Sequence, residues 1–122
     1  MSIKIKRVYE PCAGDDGVRI LVDRLWPRGI KKEDAHIDKW FKEIAPSNEL
    51  RKWYNHDPEK FEAFKQKYRA EIDGTKSLGE LLDYIEQHKT VTLVFSSKEL
   101  KLNNAVVLKT IIDVKTQQES DC

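Results

Sequence analysis

Hydrophobic and polar residues alternate at the start of the chain, which is the period of a half-buried β-strand. Residues 3 to 9 follow this pattern and Pro11 ends it. After a turn rich in Gly and Asp, an aliphatic run over residues 18 to 22 predicts a second strand. The apolar run over residues 91 to 95 is too short for a helix and is typical of a strand buried on both faces. We therefore predict three strands, and a fourth could lie in a segment otherwise assigned to loops.

Between and after these strands, apolar residues recur at the 3.6-residue period of amphipathic helices. Five helices are predicted. The first covers residues 37 to 44, with Ile37, Trp40, Phe41 and Ile44 on one stripe, and the second is a short segment from Ser47 to Asn55. The third is capped by Asp57 with Pro58 in its first turn, the fourth has a capping box of Ser77 and Glu80, and the last is capped by Asn103 or Asn104. The polar tail from about residue 116 is expected to fray. Helices that separate strands favour a mostly parallel sheet with helices on both faces, so we expect one α/β domain over residues 1 to 122.

Length, charge and cysteine content narrow the function classes. The 122 residues suit one domain, and 22 Lys and Arg against 21 Asp and Glu leave a formal charge of +1, which does not favour nucleic-acid binding. Neither a signal peptide nor a run of about 18 apolar residues is present, so no membrane association is expected. Cys12 and Cys122 lack metal-ligand or disulfide spacing, so we expect free thiols, no metal site and a cytoplasmic location.

Polar side chains cluster where two of the predicted strands end. Asp23, Arg24, Trp26 and Arg28 follow the second strand, Ser96, Ser97, Lys98 and Glu99 follow the last strand, and Asn103 and Asn104 begin the last helix. In open parallel sheets, ligands bind beyond the carboxyl ends of the strands, where helix N-termini present their N–H groups. If the two strands are neighbours, these side chains share one crevice.

The composition of this cluster predicts a site for a small anion or a nucleotide. Arg24 and Arg28 can hold a phosphate or carboxylate through paired N–H donors, with further donors from the serines, the asparagines and Lys98. Asp23 would orient an arginine or act as a catalytic base. The alternative is structural: Asp23 and Arg24 form a local ion pair, Trp26 packs on a helix, residues 27 to 29 form a turn, and the serines bond to backbone.

Other candidates for chemistry are weaker. His56 and Asp57 could form an acid–base pair, but the capping role already accounts for Asp57. His36 and His88 have no ligand spacing and are expected on the surface. The sequence contains no phosphate loop, dinucleotide fingerprint, nucleophile elbow or zinc-protease motif, so it identifies no cofactor.

A rival hypothesis from another class is a non-enzymatic interaction module. The aromatic and basic helices from Arg51 to Arg69 would then contact a protein or nucleic-acid partner, through an exposed patch containing Trp53, Tyr54 and Phe61. Helical spacing argues against part of this patch, because it favours a core position for Trp53. The sequence does not define an oligomeric state.

A long run over residues 19 to 29, Arg-Ile-Leu-Val-Asp-Arg-Leu-Trp-Pro-Arg-Gly, resembles the YeaO-like proteins, a bacterial group within domain-of-unknown-function family 488. The resemblance covers nearly the whole chain. It extends to Lys6-Arg7-Val8-Tyr9, Ala45-Pro46-Ser47, Glu49-Leu50-Arg51, His56-Asp57-Pro58, Phe64 to Tyr68, Glu71, and Asn103-Asn104-Ala105-Val106-Val107-Leu108.

The resemblance implies a three-layer α/β fold and a cytoplasmic bacterial protein, but it carries no assigned activity. This chain departs from the family pattern at two places. Members of the family often have Ala-Lys-Asp after the last strand, where this chain has Ser97, Lys98 and Glu99. They also often have a His directly before the Asn-Asn-Ala sequence, where this chain has Leu102.

These observations combine into one geometric expectation. The strands at about 18 to 23 and 91 to 96 should be parallel members of one sheet. Arg24 should line a concave pocket, with its guanidinium only partly satisfied by protein acceptors, and Trp26 should form a wall of that pocket. An arginine enclosed in this way must pair with a carboxylate of the protein or with an anion from outside.

Overall fold

The computed structural model describes residues 2–11, 13–98 and 101–120. Its strands are β1 (Ser2–Arg7), β2 (Val18–Leu21), β3 (Lys39–Trp40) and β4 (Thr90–Phe95), and its helices are α1 (Lys32–Ala35), α2 (Asn48–Tyr54), α3 (Phe61–Ile72), α4 (Lys76–Glu86) and α5 (Asn104–Ser120). Single turns of 3-10 helix lie at Gly14–Asp16, Lys42–Ile44 and Pro58–Lys60. No helix of the described residues is long and apolar enough to cross a membrane.

The strands form one parallel sheet in the order β1-β4-β2-β3. Strand β4 lies inside the sheet and is buried from Val91 to Phe95, as the continuous apolar run predicted. It pairs with β2 over Val18 to Leu21, opposite residues 91 to 94. The predicted parallel pairing of these two strands is therefore confirmed, and their carboxyl ends meet at one edge of the sheet.

The two faces of the sheet carry layers of different thickness. Strand alternation directs Leu93 and Phe95 into the main core, which is built with side chains of α2, α3, α4 and α5. Val94 points to the other face, where it packs with Val8 and with Ala35 of α1. The predicted three-layer α/β fold is confirmed, with a thick helical layer on one face and a thin layer of α1 and irregular chain on the other.

The helix predicted over residues 37 to 44 is wrong. This segment forms β3 and a 3-10 turn instead, and Trp40 lies opposite Leu21 at the edge of the sheet. His36 adopts a left-handed φ of 53° that ends α1, and the Phe41 N–H then donates to the Leu21 carbonyl at 3.0 Å. In so short a segment, hydrogen bonds to an open sheet edge outweigh local periodicity. The fourth strand therefore lies in a predicted helix, not in a predicted loop.

Smaller differences concern the ends of elements. Strand β1 ends at Arg7, two residues early, because the chain turns there. Helix α4 is capped by the Thr75 hydroxyl, which accepts from the Leu78 N–H at 3.3 Å, and not by the predicted capping box of Ser77 and Glu80. Asn103 caps α5, as one of the two predicted alternatives, and α5 ends at Ser120. The fraying expected for the tail from about residue 116 stays a prediction.

A buried ion pair holds the thin layer to the sheet. Arg19 of β2 is 2% exposed and donates to the Asp16 carboxylate at 2.6 Å. Its Nε and Nη2 donate to the carbonyls of His36 and Ala35, so all three guanidinium nitrogens are engaged. Lys6 adds a second cation at 3.3 Å from Asp16. Arg19 can be buried because its charge and its donors are matched within the protein.

The charge of Asp16 depends on these partners. Burial alone would raise the pKa of Asp16, but the Ala13 N–H and the cationic groups of Arg19 and Lys6 lower this pKa below its ordinary value of 3.8. A carboxyl group with a lowered pKa in the folded state stabilises the fold above its unfolded pKa. That stabilisation is lost as the pH falls through the folded pKa.

We expect Asp16→Asn to lower the free energy of unfolding by about 3 kcal/mol at pH 7, because it leaves Arg19 buried without a counter-charge. Urea unfolding measured between pH 7 and pH 3 checks this. The difference from wild type should narrow as the pH falls below 3.8, because the Asp16 carboxyl of the unfolded chain is protonated there first and the stabilisation is lost as the pH falls through the lower folded pKa. Asp15→Asn is the matched control, because the Asp15 side chain is 80% exposed. Equal losses of unfolding free energy in the two variants, or a difference from wild type that does not change with pH, would contradict the role of Asp16 as the counter-charge of Arg19.

Candidate functional site

A cavity of about 590 Å³ lies at the carboxyl edge of the sheet. Its walls come from the segment after β2, the segment after β4, the start of α5 and the region around α2. Of the residues predicted for the site, the cavity lining includes Asp23, Arg24, Trp26, Arg28, Ser96, Ser97, Asn103 and Asn104. Lys98 is exposed and outside this lining, and Glu99 lies outside the described residues. The parallel pairing of β2 with β4 thus brings two distant sequence segments into one crevice.

Asp23 joins three elements at the base of the cavity. Its Oδ2 accepts hydrogen bonds from the Ser96 N–H and hydroxyl, both at 2.8 Å. Its Oδ1 accepts from the Asn104 amide at 3.2 Å, and its backbone carbonyl accepts from the Trp40 indole at 2.7 Å. The carboxylate therefore connects the ends of β2 and β4 to the start of α5, and it forms no ion pair with Arg24 or Arg28.

The serine and asparagine side chains near Asp23 are engaged in the same framework. The Ser96 hydroxyl proton is directed at Asp23, and the Asn104 amide also donates to the Val22 carbonyl at 3.1 Å. The Asn103 side chain is buried and accepts from the Val106 N–H at 2.9 Å as the cap of α5. These residues shape the cavity, and their described hydrogen bonds lie within the protein.

Arg24 is half-buried and lines the cavity. Its Nη2 donates to the Ala45 carbonyl at 3.1 Å and its Nε to the Pro46 carbonyl at 3.4 Å. Among the described residues, no carboxylate pairs with Arg24 and its Nη1 has no acceptor. The guanidinium is therefore fixed in position by two neutral carbonyls, and no carboxylate of the described residues lies within ion-pair distance of it.

The segment that supplies these carbonyls is itself held in place. The buried Tyr68 hydroxyl donates to the Ile44 carbonyl at 2.7 Å. Burial raises the pKa of Tyr68, and the nearby charge of Asp23 adds to this effect, so Tyr68 stays protonated and remains a donor. Ser47 is bonded through its N–H and its hydroxyl to Glu71. Both sides of the Ala45-Pro46 pair are anchored on α3, which defines the direction of the Arg24 side chain.

The rim of the cavity is aromatic where the chain leaves β2. The Trp26 indole donates to the Ile30 carbonyl at 2.7 Å and packs edge-on against Trp40. The Tyr9 hydroxyl donates to the Arg28 carbonyl at 3.0 Å, across the turn that Gly29 closes with a φ of 77°. The turn of the structural alternative is present, and Trp26 packs against Trp40 of β3 and against the cluster that includes Ala35 of α1. The Asp23–Arg24 ion pair of that alternative does not form.

The sequence did not identify the cavity residues contributed by the end of α2. Arg51, Lys52, Asn55 and His56 all line the cavity. Asn55 and His56 have left-handed φ values of 45° and 55°, which end α2 and change the direction of the chain. The double reversal is a feature of the backbone at a helix end, and the order of residue types gives little signal for it.

Charge inside the cavity is strongly unbalanced. Four cationic side chains line it, from Arg24, Arg28, Arg51 and Lys52, against the one carboxylate of Asp23, among the residues that the structure describes. No hydrogen bond joins His56 to Asp57, whose carboxylate instead caps a turn through the Glu59 N–H at 3.0 Å. Within the described part of the chain no cluster of side chains suits a metal ion.

The aromatic patch of the rival hypothesis is not formed as predicted. Tyr54 is 6% exposed and stacks on Phe64 in the core, and Phe61 is only partly exposed. Trp53, for which helical spacing favoured a core position, is 38% exposed, with the ammonium groups of Lys60 and Lys67 at 5.1 and 5.0 Å from its ring centroid. The surface therefore presents a single tryptophan between two lysines.

Comparison with known proteins supports the resemblance seen in the sequence. A family model described as the inactive DUF488-N3 subclade matches residues 2–122. The chain is 46% identical over 108 residues to the uncharacterized protein YeaO of Escherichia coli K12, covering 88% of this chain and 94% of that protein. It is 40% identical over 111 residues to the uncharacterized protein Rv3073c of Mycobacterium tuberculosis H37Rv, with 91% and 93% coverage. No solved structure matches the chain significantly.

We expect Asp23→Asn to lower the free energy of unfolding by about 2 kcal/mol, the scale of losing hydrogen bonds to a charged group. The asparagine amide would also point N–H donors at Ser96 or Asn104. Both of these residues are donors in the wild-type protein, so one hydrogen bond is replaced by two facing donors. Urea denaturation of both proteins measures the loss. Asp83→Asn on the exposed side of α4 is the matched control and should leave stability near that of wild type. A wild-type midpoint for Asp23→Asn would show that the carboxylate does not hold these elements together.

Proposed function

The chain belongs to the family described as the inactive DUF488-N3 subclade, and on that premise we propose that it binds a small anionic ligand in the cavity without converting it. Arg24 holds the anionic group, and Arg28, Arg51 and Lys52 add positive charge around it. Asp23, Ser96, Asn103 and Asn104 keep the site in shape and contact the ligand less than the arginines do. The cytoplasmic location expected from the sequence stays a prediction.

The observation that carries this proposal is the state of Arg24. Withdrawing part of a guanidinium from water costs hydration of its charge, and a carboxylate partner compensates for this cost. Arg24 has two carbonyl partners instead and faces a cavity whose one described carboxylate is already bonded to Ser96 and Asn104. A phosphate or carboxylate from outside would supply the missing charge and would accept paired N–H bonds from the guanidinium fork.

The same geometry favours binding over catalysis. Asp23 accepts three hydrogen bonds within the protein, two at Oδ2 and one at Oδ1, so its carboxylate mainly holds the framework together and has one acceptor site left without a described donor. The Ser96 hydroxyl lies against an aspartate, not against a histidine that could activate it as a nucleophile. The description of the family as inactive agrees with these contacts. Asp23 is therefore assigned a positioning role.

Thermal unfolding in inorganic phosphate, sulfate and citrate tests the proposal. An anion at about 100 times its dissociation constant should stabilise the wild-type protein by about 2.7 kcal/mol. Arg24→Gln should abolish this stabilisation while the protein remains folded, because a glutamine can still donate to one of the two carbonyls. Arg69→Gln, on the exposed side of α3 and outside the cavity lining, should keep it. Equal responses of the two variants, or no response of wild type to any of the three anions, would reject the site.

A further inference from the structure

We infer that the ligand of this cavity carries a flat aromatic ring in addition to its anionic group, which is the chemistry of a nucleoside monophosphate. The inference rests on the proposed function, because it takes the anion on Arg24 as given. It adds a second recognition element, located at the rim formed by Tyr9 and Trp26.

The size of the cavity is the first argument. A volume of about 590 Å³ falls within the roughly 300 to 1,000 Å³ that is typical of sites for small organic ligands. An inorganic anion seated on Arg24 would leave most of this space filled with water. A ligand with a sugar and a ring attached to the anionic group uses the remaining volume and reaches the rim.

The second argument is the fixed orientation of the aromatic side chains. The Trp26 indole is held by its bond to the Ile30 carbonyl, and the Tyr9 ring by its bond to the Arg28 carbonyl. Their polar atoms are satisfied by backbone, and both residues belong to the cavity lining. Rings that are already oriented lose little conformational entropy when a second ring stacks on them, so they suit a flat ligand group.

Exposed apolar surface points to the same rim. Three large hydrophobic side chains of the described residues are clearly exposed: Tyr9 at 45%, Leu25 at 64% and Trp53 at 38%. Two of these, Tyr9 and Leu25, line this cavity, and Trp53 does not. An isolated exposed hydrophobic residue is ordinary, but two beside an organised indole form an apolar lip on a cationic cavity.

The arrangement of charge favours a phosphate monoester as the anionic group. Such a group carries about −1.5 to −2 charges at neutral pH and three acceptor oxygens, more than a single guanidinium neutralises. Arg28 lies on the rim turn two residues after Trp26, and its side chain has no described partner. The cavity therefore combines several cations with aromatic rings, the pairing that a nucleotide requires.

Isothermal titration calorimetry on the full chain tests this inference with the four ribonucleoside 5′-monophosphates, ribose 5-phosphate, and the corresponding nucleosides. Stacking on one aromatic side chain raises affinity by roughly tenfold, so at least one monophosphate should bind that much more tightly than ribose 5-phosphate. Trp26→Leu should remove this advantage without weakening ribose 5-phosphate. Arg24→Gln should weaken both phosphorylated ligands. Trp53→Leu is the control tryptophan and should change neither.

Tyr9→Leu provides a second test that does not depend on the packing of Trp26, because Tyr9 is exposed and its loss leaves the core intact. It should reduce the preference for the monophosphate in the same direction. Equal affinity of ribose 5-phosphate and all four monophosphates would overturn the ring site and leave the anion site standing. Nucleosides that bind as tightly as their monophosphates, with no effect of Arg24→Gln, would overturn the anion site and with it this inference.

Discussion

The carboxylate of Asp23 is the constraint on which the candidate site depends. Parallel strands leave backbone groups unpaired where they end, and here one side chain satisfies those of Ser96 and draws Asn104 at the start of α5 against β2. These contacts give the cavity its base. They also hold the two Asp23 oxygens in place, and no ion pair forms between Asp23 and the arginine next in sequence. The framework and the electrostatic imbalance of the cavity thus have one cause.

Two arginines close together in sequence differ in their partners: one guanidinium is paired with a carboxylate, and the other is bonded only to backbone carbonyls. Arg19 is 2% exposed, uses all three of its nitrogens, and faces the Asp16 carboxylate. Arg24 is less buried, uses two nitrogens, and faces carbonyls only. Because both belong to the same fold, the difference does not reflect a general deficiency of acidic partners. It is local to the cavity, where an external anion would complete the pairing.

Much of the fold could be predicted from sequence, because the order of apolar and polar residues indicates which segments are buried. The continuous apolar run at 91 to 95 marked the inner strand, and parallel pairing followed from the helices between strands. Strand β3 could not be predicted, since its two residues gain their structure from the edge of β2 and not from their own spacing. The exposure of Trp53 was missed for a similar reason: a helical stripe does not say where the core beneath it ends.

The candidate site was predictable only as far as topology determines it. If β2 and β4 are parallel neighbours, the segments after them must meet, so the sequence alone predicts that Arg24 and Ser96 lie near each other. The bonding of Asp23 to Ser96 in place of Arg24 required side-chain geometry. The position of His56 in the cavity lining also required the structure, because it depends on two successive left-handed residues at the end of α2. Residues that enter a site through a backbone reversal leave no periodic signal.

Position 102 links the geometry of the cavity to the resemblance seen in the sequence. Relatives often have a histidine directly before the Asn-Asn-Ala sequence, and this position lines the cavity, where an imidazole could exchange protons with a ligand. This chain has Leu102, whose side chain cannot titrate and whose carbonyl accepts from the Tyr54 hydroxyl at 2.9 Å. With Leu102 in the wall and Asp23 accepting three hydrogen bonds within the protein, the cavity keeps cations and aromatic rings, and His56 is the one imidazole of its described lining. Such a cavity keeps the cations and the rings to which our proposal assigns binding, and it has no titratable side chain at position 102.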